Sequence, residues 1–134
     1  MKKIIPMILI CICFSIYSCE KKDPNSVELS VEFTWEGYAP CDMGLPQMDI
    51  GGIPKNTKFL EISMYDHKYG FDHGEIKIAY EGSNTIIKGS YKEITGPCPG
   101  PNETGRYKIT VKALDADNVV IGDGSKERYF PEKK

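Results

Sequence analysis

Residues 27–35, VELSVEFTW, alternate without a break: Val27, Leu29, Val31, Phe33 and Trp35 fall on one face, and Glu28, Ser30, Glu32 and Thr34 on the other. A period of two marks a strand with one face in the core. A second strand is predicted in KFLEISMYD (58–66), and EIKIAY (75–80) alternates with Ile76, Ile78 and Tyr80 facing one way. The clearest pattern is RYKITVKALDADN (106–118), where Tyr107, Ile109, Val111 and Ala113 alternate with Lys108, Thr110 and Lys112 before an Asp-Ala-Asp-Asn turn. NTIIKGSY (84–91) reads as a weaker strand, and VVIGDG (119–124) as a short strand or return arm. No long stretch carries a helical period, and SKERYF (125–130) has room for a turn or two of helix at most. Short strands punctuated by Gly and Pro predict an all-β domain, an antiparallel β-sandwich or open barrel.

The N-terminus stands outside this pattern. Two lysines precede an apolar run from Ile4 to Tyr17, too short for a comfortable membrane span and laid out like a secretory leader. Its last residues, Ile16-Tyr17-Ser18-Cys19, resemble a bacterial lipoprotein cleavage box, with Tyr17 where a small residue is usual. The expected division is a signal peptide over 1–18, a lipidated Cys19 with a polar tether to residue 26, and one β domain over 27–134. An ordinary signal peptidase site near Ser18 is the alternative. A lipidated Cys19 predicts a domain tethered to a membrane face of the bacterial envelope.

Removing that leader takes away two lysines and no acid, so the net charge moves from −2 to −4. With no basic stripe, this balance argues against nucleic acid as a partner. It also leaves two of five cysteines unassigned, Cys41 and Cys98. An even pair in an oxidising compartment is most simply a disulfide. A two-thiolate metal site lacks suitably spaced partners, and no metal or cofactor is expected.

Cys98 sits in GPCPGPNETGRY (96–107), a stiff loop leading directly into the best strand. The chemistry-bearing side chains cluster elsewhere, in YDHKYGFDHG (65–74), which holds both histidines, His67 and His73, each after an aspartate, Asp66 and Asp72. Three readings fit that loop between strands. Imidazole and backbone N–H groups would attract an anion; two histidines and two aspartates would ligate a metal such as zinc; or all four are solvated loop residues. No Ser or Cys nucleophile lies beside a base, and no HExxH or phosphate-cradling glycine loop is present, so catalysis ranks below binding.

Taken together, GIPKNTKFLEISMYD, a following histidine, and GPCPGPNETGRYKITVKALD resemble the bacterial, Raf-kinase-inhibitor-like branch of the phosphatidylethanolamine-binding protein family. The resemblance covers residues 44–117. It implies an antiparallel β-sandwich with a small anion pocket at one end, acting by binding rather than catalysis. Carried over, Asp66, His73, Gly96, Pro97, Pro99, Arg106 and Tyr107 are the implied ligand-binding residues. The family's tryptophan after the histidine is here Gly74, and its histidine before Arg-Tyr is Gly105. The prolines and second aspartate after Asp66 are absent.

The expected function is therefore a lipid-anchored, non-catalytic protein binding a small phosphate-like anion or an envelope partner protein. A β-sandwich assembly module with a decayed pocket is the alternative, and a metal-dependent hydrolase built on His67, His73 and Asp72 ranks below both.

Overall fold

The computed structural model describes residues 19–132. The expected signal segment lies outside them. Eight strands make two sheets. The larger carries β1 (Lys22–Glu28), β8 (Val120–Phe130), β7 (Gly105–Leu114), β4 (Phe59–Asp66) and β5 (Phe71–Ala79), in that order across the sheet. The smaller carries β2 (Ser30–Thr34), β3 (Gln47–Gly51) and β6 (Thr85–Ile86). All pairs are antiparallel except β1 with β8, which runs parallel at the edge.

The two sheets close on one apolar core because the inward positions of each strand are apolar in the sequence. Val31, Phe33 and Trp35 from the small-sheet side meet Leu60, Ile62 and Met64 of β4 and Tyr107, Ile109 and Val111 of β7. Trp35 is the hub, with edge-to-face contacts to Phe33, Tyr38, Tyr107 and Phe130. Such ring pairs add about 0.5–1.5 kcal/mol each beyond the area they bury.

Three expectations change, and one strand lies where no alternation marks it. Residues 27–35 are not one strand: the chain passes from the large sheet to the small one at Leu29, so Val27 is exposed while the rest of its apolar face is buried. Residues 22–26, expected as a free tether, form most of β1; their side chains stay largely outside the core, and the strand is held to β8 at its two ends, by Lys22 opposite Val120 and by Val27 and Glu28 opposite Gly122 and Asp123, with an irregular stretch between. The Gly/Pro-rich stretch after Tyr38 contains β3, which buries Met48 and Ile50. SKERYF is strand, not helix. Its alternating side chains extend β8 along β7, and Lys126 and Arg128 reach Glu32 of β2.

Cys41 and Cys98 form a disulfide across 57 residues. It joins the loop before β3 to the Pro-rich loop before β7. Around it, Cys41 N–H donates to Pro97 O (2.7 Å) and Gly96 N–H to Asp42 O (3.1 Å).

Candidate functional site

β4 ends at Asp66, and the next strand returns through a turn over residues 67–70. The Asp66 carboxylate forms that turn: Oδ1 accepts from Lys68 N–H (2.7 Å) and Tyr69 N–H (3.3 Å). This is the usual reason for an aspartate at such a position. The side chain is nonetheless buried, at 2 % exposure, so it serves more than the turn.

β5 then carries a bulge. Met64 pairs with Gly74 and Tyr65 with Asp72, leaving His73 as the extra residue. A bulge re-aims the side chain it carries. Here it turns His73 inward, and its ring packs edge-on against Tyr107 on one side and Phe71 on the other. Gly74 adopts φ +113°, a conformation that side-chain-bearing residues rarely take. The glycine in place of the family's tryptophan therefore belongs to the bulge.

His73 is fixed through one nitrogen only. Nδ1 lies 2.8 Å from the Thr95 carbonyl, and a carbonyl can only accept, so Nδ1 carries a proton. Nε2 is shielded from solvent and has no hydrogen-bond partner among the described residues. A buried polar atom in that state costs about 1–3 kcal/mol and calls for an explanation.

β7 supplies the third polar group. Tyr107 is almost fully buried, and its hydroxyl hydrogen-bonds to the Asp66 carboxylate. Burial first, and then the neighbouring carboxylate, hold the phenol well above its ordinary range. Gly105, where the family has histidine, lies under the Tyr107 ring, so any Cβ there would collide with the phenol.

Asp66, His73 and Tyr107 thus meet in one cleft of about 320 Å³, completed by Tyr69, Phe71 and Cys98. That is the lower end of the range for small-molecule sites. The rigid Pro-rich loop supplies one wall through the disulfide, and Glu103 of the same loop accepts from the Tyr69 hydroxyl opposite. Tyr69 and Phe71 are about half exposed and form the mouth.

The other expected residues lie elsewhere. Arg106 and Tyr107 are consecutive on one strand and so face opposite sides of the sheet. Arg106 projects outward and pairs with Glu127 (3.5 Å), which also faces His67 (3.7 Å). Gly96 is packed under Tyr38 and Asp42, Pro97 is buried behind the disulfide, and Pro99 lines a separate depression with Pro40 and Pro131. Asp72 accepts from Gly74 N–H. His67, His73 and Asp72 do not converge, and among the described residues no three His, Cys, Asp or Glu side chains are grouped to hold a metal. Tyr69 and Phe71 escaped the sequence reading. Their only signal was an aromatic on each side of Gly70.

No family model matches this chain, and no curated protein does. Among solved structures, it resembles a phosphatidylethanolamine-binding protein homolog from Chlamydia trachomatis, with a TM-score of 0.51 and 14 % identity, over 82 % of this chain and 99 % of that one. The fold is phosphatidylethanolamine-binding-like. At 14 % identity the likeness is one of fold, and the strand ending at Asp66 and the loop entering β7 are the two elements that border the cleft.

Proposed function

We propose that this chain is a lipid-anchored envelope protein whose phosphatidylethanolamine-binding-like domain binds a small organic phosphoester in the Asp66–His73–Tyr107 cleft, without catalysis. The observation that carries this reading is His73, which lines a cleft of ligand size with its buried Nε2 left without a partner; contact through that nitrogen requires the ring to turn out from under its neighbours. With Nδ1 committed to Thr95, a second proton on the ring sits on Nε2, where the imidazolium becomes a donor to a phosphoryl oxygen. Asp66 and Tyr107 are already bonded to each other, which leaves His73 Nε2 as the unpartnered polar atom of the cleft. Tyr69, Phe71 and Cys98 make most of the remaining wall apolar, which favours an organic ester over inorganic phosphate. The name of the Chlamydia trachomatis homolog points to the same ligand class.

Binding is favoured over turnover because Cys98 is spent in the disulfide, and the Thr95 hydroxyl, 3.3 Å from His73 Nδ1, meets a nitrogen whose proton goes to the Thr95 carbonyl. The half-exposed Tyr65, Tyr69 and Phe71 favour a second reading, a partner protein docking at this end.

The test is to follow the His73 ring resonances by NMR while titrating phosphoethanolamine, with His73→Ala as the control. Saturable shifts of His73 and of the 96–107 amides support the proposal. No response at millimolar ligand in a folded protein overturns it and leaves partner docking.

A further inference from the structure

The anchor and the cleft lie at opposite ends of the large sheet. Lys22, the first residue of β1, pairs with Val120, and Val120 pairs with Leu114 at the end of β7. The cleft lies at the other end of that strand: Tyr107 pairs with Asp66, while Leu114 pairs with Phe59 at the start of β4. Seven residue steps separate the two ends, roughly 23 Å at about 3.3 Å per residue.

The link from Cys19 to this sheet is short and pinned. Lys21 O accepts from Val120 N–H at 2.8 Å, so only Glu20 lies between the cysteine and a paired backbone. Glu20 itself pairs with Lys112, which also holds Glu61 at 3.1 Å, and Lys22 holds Asp123 at 2.6 Å. Two extended residues reach about 7 Å, far less than the length of the sheet.

We infer that the cleft is presented away from the bilayer that carries the anchor, and takes its phosphoester from the aqueous space rather than from headgroups of that bilayer. This rests on the lipidation and ligand readings above. Acyl chains on Cys19 hold the 115–118 turn and the start of β8 at the membrane surface. A link of two residues cannot let the domain turn its Asp66 end to the same surface. A headgroup in the anchoring leaflet is thereby out of reach, whereas a free phosphoester meets an open mouth formed by Tyr69 and Phe71.

The experiment uses the processed, lipidated protein in vesicles that carry a headgroup-bound paramagnetic metal. A spin label is placed either at Asp117→Cys, in the turn beside the anchor, or at Lys68→Cys, in the turn beside the cleft. The expected result is strong relaxation enhancement at position 117 and none above the metal-free control at 68. Equal enhancement at both positions, at neither, or only at 68 overturns the placement. A second arm titrates free phosphoethanolamine against protein anchored in vesicles with or without phosphoethanolamine headgroups. Unchanged apparent affinity is expected, and a loss caused by the headgroups overturns the inference. If the labels behave as expected while no phosphoester binds, the ligand reading fails and the orientation stands.

Discussion

Removing the disulfide with Cys41→Ser and Cys98→Ser tests whether the Pro-rich wall of the cleft is held by the staple or by its own contacts. The bond closes a loop across 57 residues. In the chain-entropy account a closure of that length stabilises by about 4 kcal/mol, a large share of the roughly 5–15 kcal/mol typical of a domain. Local contacts survive the change, chiefly Cys41 N–H to Pro97 O and Gly96 N–H to Asp42 O, but they join the same two loops and do not restrain the unfolded chain. The assay is urea unfolding followed by fluorescence of the single tryptophan, Trp35, which is 4 % exposed in the core. With a denaturant slope of about 2 kcal/mol/M, the midpoint should fall by about 2 M. Amide shifts in the folded double variant should concentrate at residues 41 and 96–105 and along the cleft. A loss under about 1 kcal/mol would refute the reasoning, because the loop would then be held by its backbone contacts alone.

Three further outcomes are expected. Tyr107→Phe deletes the hydroxyl bonded to the buried Asp66 carboxylate, and leaving that carboxylate one donor short should cost about 1–3 kcal/mol in the same unfolding assay. Gly105→Ala forces a methyl into the Tyr107 ring; overpacking should cost about 1–3 kcal/mol, and the His73 ring resonance should shift because Tyr107 packs on it. Stability should also fall above pH 10: burial, with Asp42 nearby, pushes the Tyr38 phenol up to about 12, and Tyr107 is raised as well. Between the unfolded value near 10 and those folded values, only the unfolded chain releases the protons, so each phenol removes about 1.4 kcal/mol per pH unit. Urea midpoints at pH 8, 10 and 11 check this, and Tyr38→Phe should flatten the decline.

Strands that bury one face wrote themselves into the sequence. β4 and β7 alternate strictly because both pack against the core on one side and water on the other. β3 was hidden because its five residues sit among glycines and prolines, and its burial depends on β2 and β6 on either side. β8 was half hidden. Its outer stretch is polar at nearly every position because Lys126 and Arg128 pair with Glu32 across the sheets, a tertiary fact with no local trace. β1 was unreadable for a similar reason: an exposed edge strand containing Pro24 buries too little to show a period. In the site, Asp66 and His73 came from the family resemblance, but the bulge that turns His73 inward had only Gly74 as its signal. Gly96 and Pro97 were read as pocket wall, whereas they pack behind it to seat the disulfide whose Cys98 does line the cleft.

Positions 105–107 explain how the cleft is built with glycine at 105, where the family that the sequence resembles has a histidine. Period-two alternation allows only one of Arg106 and Tyr107 to face inward, and the inward one is the tyrosine. Its ring covers Gly105, the place where the family's histidine would start, and its hydroxyl goes to Asp66 instead of to a ligand. The guanidinium, a strong phosphate partner in principle, is spent on Glu127 across the sheet. On the proposed function, His73 is left as the polar contact for a phosphoester, and the remaining recognition comes from the shape of the mouth at Tyr69 and Phe71. Selectivity here should therefore follow the ester's organic group more than its phosphate.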